Sequence, residues 1–160
     1  MQDLQRIGAR NRGTPRRFAV ALAATVLYAG CGSEPSRTVP AACTRGPAPL
    51  ERALTRAPGD VTLGGTRPSA CFVRGGDPGG VESLGLTFLP AAEHLAAEAR
   101  ARPRGPAALR LGFLVGAVRR GTARGGVYAE LVRRIEQELT GVHTHAPGFR
   151  SGLRAGLAHG

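Results

Sequence analysis

From residue 49 onward, apolar positions recur with the period of an α-helix more often than with the alternation of a strand. Leu50, Ala53, Leu54 and Ala57 stand at i, i+3, i+4 and i+7, and Pro58-Gly59 ends the pattern, which predicts a short helix from Pro49. Val61 and Leu63 then alternate while Gly64-Gly65 and Pro68 interrupt, which predicts an extended excursion. Asp77 followed by Pro78 has the form of a helix start: the carboxylate accepts from a free backbone N–H, and proline has no N–H to leave unpaired. Val81, Leu84, Leu86, Phe88, Leu89, Ala92, Leu95, Ala96 and Ala99 continue a helical stripe to about Arg102, with Pro90 expected to kink or split it. Residues 107–118, AALRLGFLVGAV, are apolar on nearly every side and lead into Arg119 and Arg120, which suit the negative end of a helix dipole. They predict a central buried helix.

Two further helices follow. Val127, Leu131, Ile135 and Leu139 keep i+4 spacing, Glu130 and Arg134 can pair across one turn, and Arg133, Glu136, Gln137 and Glu138 make a solvated face. In the last segment Phe149, Leu153 and Leu157 form one stripe, Arg150 and Arg154 the next, and Gly148, Gly152 and Gly156 a third. Each glycine costs about 1 kcal/mol relative to Ala in a helix, so this segment either docks on the rest or frays. The expected fold is mainly α: a single domain over residues 49–160, a small bundle of four or five helices with a short extended, disulfide-stapled segment near its start.

Residues 1–30 follow a different logic. An Arg-rich stretch to residue 17 precedes 13 apolar or weakly polar residues, 18–30, and the small residues Ala29 and Gly30 stand before Cys31. That is the order of a secretory signal, and the run is short of the roughly 20 apolar residues that span a bilayer. LYAGC, residues 27–31, resembles the lipobox of bacterial lipoproteins, with Tyr28 standing where that family usually has Leu. The resemblance implies cleavage before Cys31, lipidation of its thiol, and residence on the outer face of the cytoplasmic membrane or in the cell envelope. It covers only residues 1–31 and implies nothing about the rest of the chain. Residues 31–48, rich in Ser, Pro, Gly and Ala, have the composition of a flexible tether behind such an anchor.

The three cysteines fit the same placement. With Cys31 lipidated, Cys43 and Cys71 remain as one pair, free to bridge in an oxidising compartment. All 22 basic side chains are Arg and the formal net charge is +11; from Cys31 onward 17 Arg face 10 acidic residues, leaving +7. Without Trp or a basic stretch interleaved with aromatics, that charge argues against a nucleic-acid partner and leaves anionic lipid or an anionic envelope polymer as the charged partners to consider.

Candidate chemistry is sparse. His143 and His145 in GVHTHAP are weak metal-ligand candidates, because zinc sites need three or four ligands and neither His94 nor His159 stands at motif spacing to them. Ser83 and Ser151 lack a nucleophile-elbow context, and Glu93 and Glu98 are five apart on one helix, pointing in different directions. RGGDPGG, residues 74–80, has no Lys with which to complete a phosphate-binding loop. The expectation is therefore a lipid-anchored, non-enzymatic structural or binding module of the cell envelope, with no cofactor and no catalytic residue. Behind it stand a soluble exported protein that binds an anionic envelope ligand and, third, a small metal-dependent envelope enzyme.

Overall fold

A computed structural model describes residues 38–73, 76–123 and 126–160. Its helices are α1 (Pro47–Leu54), α2 (Pro78–Ala101), α3 (Pro106–Thr122), α4 (Ala129–Gln137) and α5 (Pro147–His159), joined near the start by two 3-10 turns, Ala41–Thr44 and Pro68–Cys71. No strand occurs among the described residues, so the mainly α bundle expected from periodicity is what forms. The segment with the order of a signal, and Cys31 with it, lies outside the described residues. Among the described residues no helix is long and apolar enough to cross a membrane.

Packed structure starts earlier than the tether expected to residue 48. Val39 is buried, Cys43 is completely so, and the turn carrying Cys43 leads within three residues into α1. One valine and one cysteine make no periodic pattern, which is why composition alone points to a linker there. Cys43 is bonded to Cys71, Cα to Cα 5.7 Å, so the bridge ties the two 3-10 turns together with α1 and the excursion between them. In that excursion Val61 and Leu63 point into the core, and Leu63 and Thr66 exchange backbone hydrogen bonds of 2.8 and 3.0 Å. Gly64 and Gly65 make the reversal at φ +55° and +85°, a left-handed pair that side chains other than glycine resist.

Asp77 caps α2 as expected, accepting from Gly80 N at 2.9 Å. The helix then runs for 24 residues through Pro90 without the predicted split. Proline cannot donate to the Leu86 carbonyl, but Leu86 is 67% exposed, so water can serve that oxygen at little cost. This same exposure removes Leu86 from the expected stripe; Leu84, Thr87, Phe88, Ala91, Ala92, Leu95, Ala96 and Ala99 are the buried positions. Thr87 is the buried polar member: its hydroxyl donates to Ser83 O at 3.1 Å and accepts from Gly46 N at 3.3 Å, linking α2 to the start of α1.

α4 is shorter than its i+4 pattern. Leu131 and Ile135 are buried, but Val127 is 56% exposed and precedes the helix. Tyr128 takes the inward place instead, its ring edge-on to Phe72 at 5.4 Å and its hydroxyl donating to Val73 O at 3.1 Å. Phe72 in turn meets Phe88 edge-on at 5.1 Å, so three aromatic rings hold the beginning of α4 to the second 3-10 turn and α2. Burial, with the Asp77 charge adding to it, pushes the Tyr128 phenol above its ordinary pKa and keeps it a neutral donor.

α3 is the centre, packing against α2, α4, α5 and the second 3-10 turn, with ten buried residues along its length. Its contact with α5 is backbone on backbone. A Cβ on Gly112 would collide with the Phe149 carbonyl and lie 3.0 Å from Leu153 N; one on Gly116 would collide with the Leu153 carbonyl and lie 2.8 Å from Leu157 N. Gly152 and Gly156 reciprocate against Leu109 and Phe113, a Cβ on either lying 2.8 Å from Phe113 N or Ala117 N. Both members of each pair advance together along the sequence, so the two helices run parallel. α5 therefore docks, and it does so through its glycine face plus Phe149, whereas Leu153 is half-buried and Leu157 is 43% exposed. Of the three stripes, the glycine stripe is the one that meets α3.

Two outcomes test this packing. Gly112→Ala and Gly156→Ala should each destabilise by roughly 1–3 kcal/mol, because the clash is with backbone that cannot swing aside. Gly85→Ala, where a Cβ meets nothing within 4 Å, should stabilise by about 0.5–1 kcal/mol. Denaturant midpoints decide, and equal shifts at the three positions would refute a glycine-dependent seam. Replacing Cys43 and Cys71 together by Ala should cost about 3–4 kcal/mol, the chain-entropy value for two residues 28 apart in sequence, and reduction of the parent should lower its midpoint in the same direction.

Candidate functional site

The parallel seam sets the first turns of α3 and α5 side by side, and the loops entering those turns line a groove of about 870 Å³. Residues 102–105 contribute from the α2–α3 loop and residues 142–147 from the α4–α5 loop. Both loops are short and internally bonded. Gly105 N donates to Arg102 O at 2.8 Å, Thr144 N to Val142 O at 2.8 Å, and Ala146 N to His143 O at 2.9 Å. Pro103 and Pro106 stiffen the first loop further, and Gly141 at φ +75° turns the chain into the second.

Four basic side chains line the groove: Arg102, Arg104, His143 and His145, all exposed, with no Asp or Glu among the lining residues. Neither helix start at the groove is capped. α3 begins after Gly105 and α5 after Ala146, each with Pro at its first position, no side-chain cap and no acidic residue in its first turn. Helix starts leave backbone N–H groups without intrahelical partners and carry partial positive charge. The opposite ends of the two helices are treated differently, for there the Arg120 guanidinium donates to the Leu157 carbonyl at 2.8 Å and to that of Ala158.

His143 and His145 thus share one groove, but a third metal ligand does not join them, and no group of three His, Cys, Asp or Glu suited to a metal is present among the described residues. His94 lies on the outside of α2, 3.2 Å from a Glu51 oxygen and 3.5 Å from Glu98. His159 Nε2 stands 2.9 Å from Pro58 O, with its ring edge-on to Phe113. Ser83 enters only through its carbonyl, which accepts from Thr87, and no side-chain bond connects it to His94. Cys43 and Cys71 are bridged in the core and far from solvent.

Arg102 and Arg104 were not legible as site residues, since RPRGP has the look of a helix break. The signal was there in a subtler form: two arginines placed directly before a helix whose first turn has no acidic residue. Other hollows lie elsewhere on the domain, two of which bear on charge and apolar surface. One of about 300 Å³ collects Arg45, Arg52 and Arg56 beside α1, whose leading Gly46 N–H is already engaged by Thr87. The other, about 330 Å³, is apolar, lined by Leu86, Leu89, Val127 and Leu131, with Glu82 and the Glu130–Arg134 pair at its rim. There Glu130 accepts from Arg133 at 2.7 and 2.8 Å and from Arg134 at 2.8 Å. Those hydrogen bonds hold the Glu130 carboxyl down at about 2.

Compared with known protein families, curated proteins and solved structures, the chain matches none. The class that fold and site define is thus a disulfide-stapled helical bundle with a basic groove at the paired starts of two parallel helices.

The Glu130 cluster gives a signed pH prediction. A carboxyl held below its ordinary 4.5 contributes stability that is fully present above that value and lost as pH falls from 4.5 toward 2. Glu130→Gln should lower the unfolding temperature slightly at neutral pH, slightly because the cluster is exposed. The difference from the parent should shrink between pH 4.5 and 2; a difference that stays constant across that interval would refute the assignment.

Proposed function

We propose that the chain is an exported, lipid-anchored module of the cell envelope that binds an anionic ligand at the Arg102, Arg104, His143 and His145 groove. One observation carries the reading: two of the three cysteines, Cys43 and Cys71, are bonded to each other inside the core, which leaves Cys31 as the third. Cys31 is also the cysteine that follows Ala29-Gly30 at the end of the 13-residue apolar run. Bridged cysteines persist in oxidising compartments, and the run before Cys31 has the order of an export signal, so two independent features favour the same side of the membrane. The groove supports binding, because it concentrates positive charge that no acidic side chain in its lining offsets.

A soluble exported protein binding the same anion would share the groove and differ only at Cys31. Labelled palmitate should enter the parent and be lost in Cys31→Ala, with the variant released from the membrane fraction. Parent protein that takes up no palmitate but is still exported would favour the soluble form. Parent protein retained in the cytoplasm with Cys43 and Cys71 reduced would overturn both.

A further inference from the structure

We propose that the groove recognises a phosphoryl group, carried by a soluble ligand or a polymer segment that enters it, rather than a carboxylate or the plane of a bilayer. This deepens the reading of the groove given above and rests on it.

The first support is unpaired charge on a stiff frame. Arg100 donates to the carbonyls of Glu138 and Thr140, Arg119 pairs with Glu136, Arg120 holds the end of α5, and Arg133 and Arg134 share Glu130. Arg102 and Arg104 have no such partner among the described residues, a state they share with Arg52, Arg56, Arg150 and Arg154, but of these they alone flank a proline, Pro103, and are followed by Pro106, which limit how far their backbone can move. Both side chains are exposed and their donor forks are free for an oxyanion.

Convergence is the second. Basic side chains come from two loops some 40 residues apart in sequence, which the parallel glycine seam brings to one groove. Donors that approach from several sides suit a tetrahedral group with three acceptor oxygens better than a planar carboxylate with two. Shape is the third: a concave groove admits a chain end or a phosphodiester segment. A flat bilayer would instead meet Arg150 and Arg154, which are exposed along α5 beside Leu157.

The test uses the purified full chain with three probes: short-chain polyphosphate, polyglutamate of equal charge, and phosphatidylglycerol vesicles. Polyphosphate should bind most tightly. Arg102→Ala with Arg104→Ala should weaken it by about tenfold or more, as expected for lost hydrogen bonds between charged groups. Lys at both positions should restore part of the affinity, and the paired changes Arg52→Ala/Arg56→Ala and Arg150→Ala/Arg154→Ala should leave it unchanged. Unfolding transitions that match the parent's show that each variant folds, and chemical-shift changes at the Arg104, His143 and His145 amides on adding polyphosphate report the site without any substitution. Polyglutamate that binds as tightly, with the same dependence on Arg102 and Arg104, overturns the phosphoryl preference while the anionic groove stands. Binding that follows Arg52 and Arg56, or vesicle binding that follows Arg150 and Arg154, overturns the groove itself, as does failure of every probe to bind. None of these outcomes alters the palmitate result, so the anchor and the groove stand or fall separately.

Discussion

Four glycines let two helix backbones touch, and most of the molecule is arranged around that close approach. Gly112 and Gly116 on α3 face Gly152 and Gly156 on α5 so closely that a Cβ at any of the four would meet a carbonyl oxygen of the other helix. Each glycine costs about 1 kcal/mol in helix propensity, and the Cα–H···O hydrogen bonds that such proximity allows are worth roughly 0.5–1 kcal/mol each. The two nearly cancel. What the seam contributes is therefore less net stability than specificity: in the observed register a Cβ at any of the four positions meets backbone of the other helix, so this close approach requires glycine there.

Direction has electrostatic consequences. Parallel helices add their dipoles, so like partial charges gather at both ends of the pair. At the far end the negative side is met by Arg120, whose guanidinium bonds two carbonyls at the end of α5, while Arg119 reaches Glu136. At the near end the sequence does the opposite of neutralising. It places no acidic residue in either first turn and adds Arg102, Arg104, His143 and His145. α2 shows that the chain is able to cap a helix conventionally, since Asp77 accepts from Gly80 N there. α1 also starts without a side-chain cap, so what makes the groove more than a gap between loops is the pairing of two such starts with basic side chains from both loops.

Helical periodicity was sufficient to recover the existence and order of the five helices, because Leu50, Leu54, Leu84, Phe88, Leu131 and Ile135 are buried where their spacing places them. It failed where something other than apolar spacing decides which face turns inward. Leu157 is out because glycine, not leucine, makes the seam; Val127 is out because the Tyr128 ring has Phe72 to pack on and Val73 to bond. Val39 and Cys43 are in because a covalent bond, invisible to periodicity, draws their segment into the core. Of the groove, His143 and His145 could be picked out by their residue type. Arg102 and Arg104 could not, because nothing local says that two loops some 40 residues apart meet; only the direction of α5 against α3 does.

A chain with 22 arginines and no lysine presents guanidinium groups in many places, so charge alone cannot single out a site. Arg45, Arg52 and Arg56 share a hollow, and Arg150 and Arg154 project from α5. These are consecutive turns of one segment or one helix, the arrangement that a basic composition produces along any exposed face. The groove differs because its basic groups arrive from separate parts of the sequence and are brought together by a packing seam with strict steric requirements. If the glycines were replaced, the loops and their charges would remain in the sequence, but the relation between them would not. That dependence of a charged cluster on a backbone seam separates an assembled site from a basic surface.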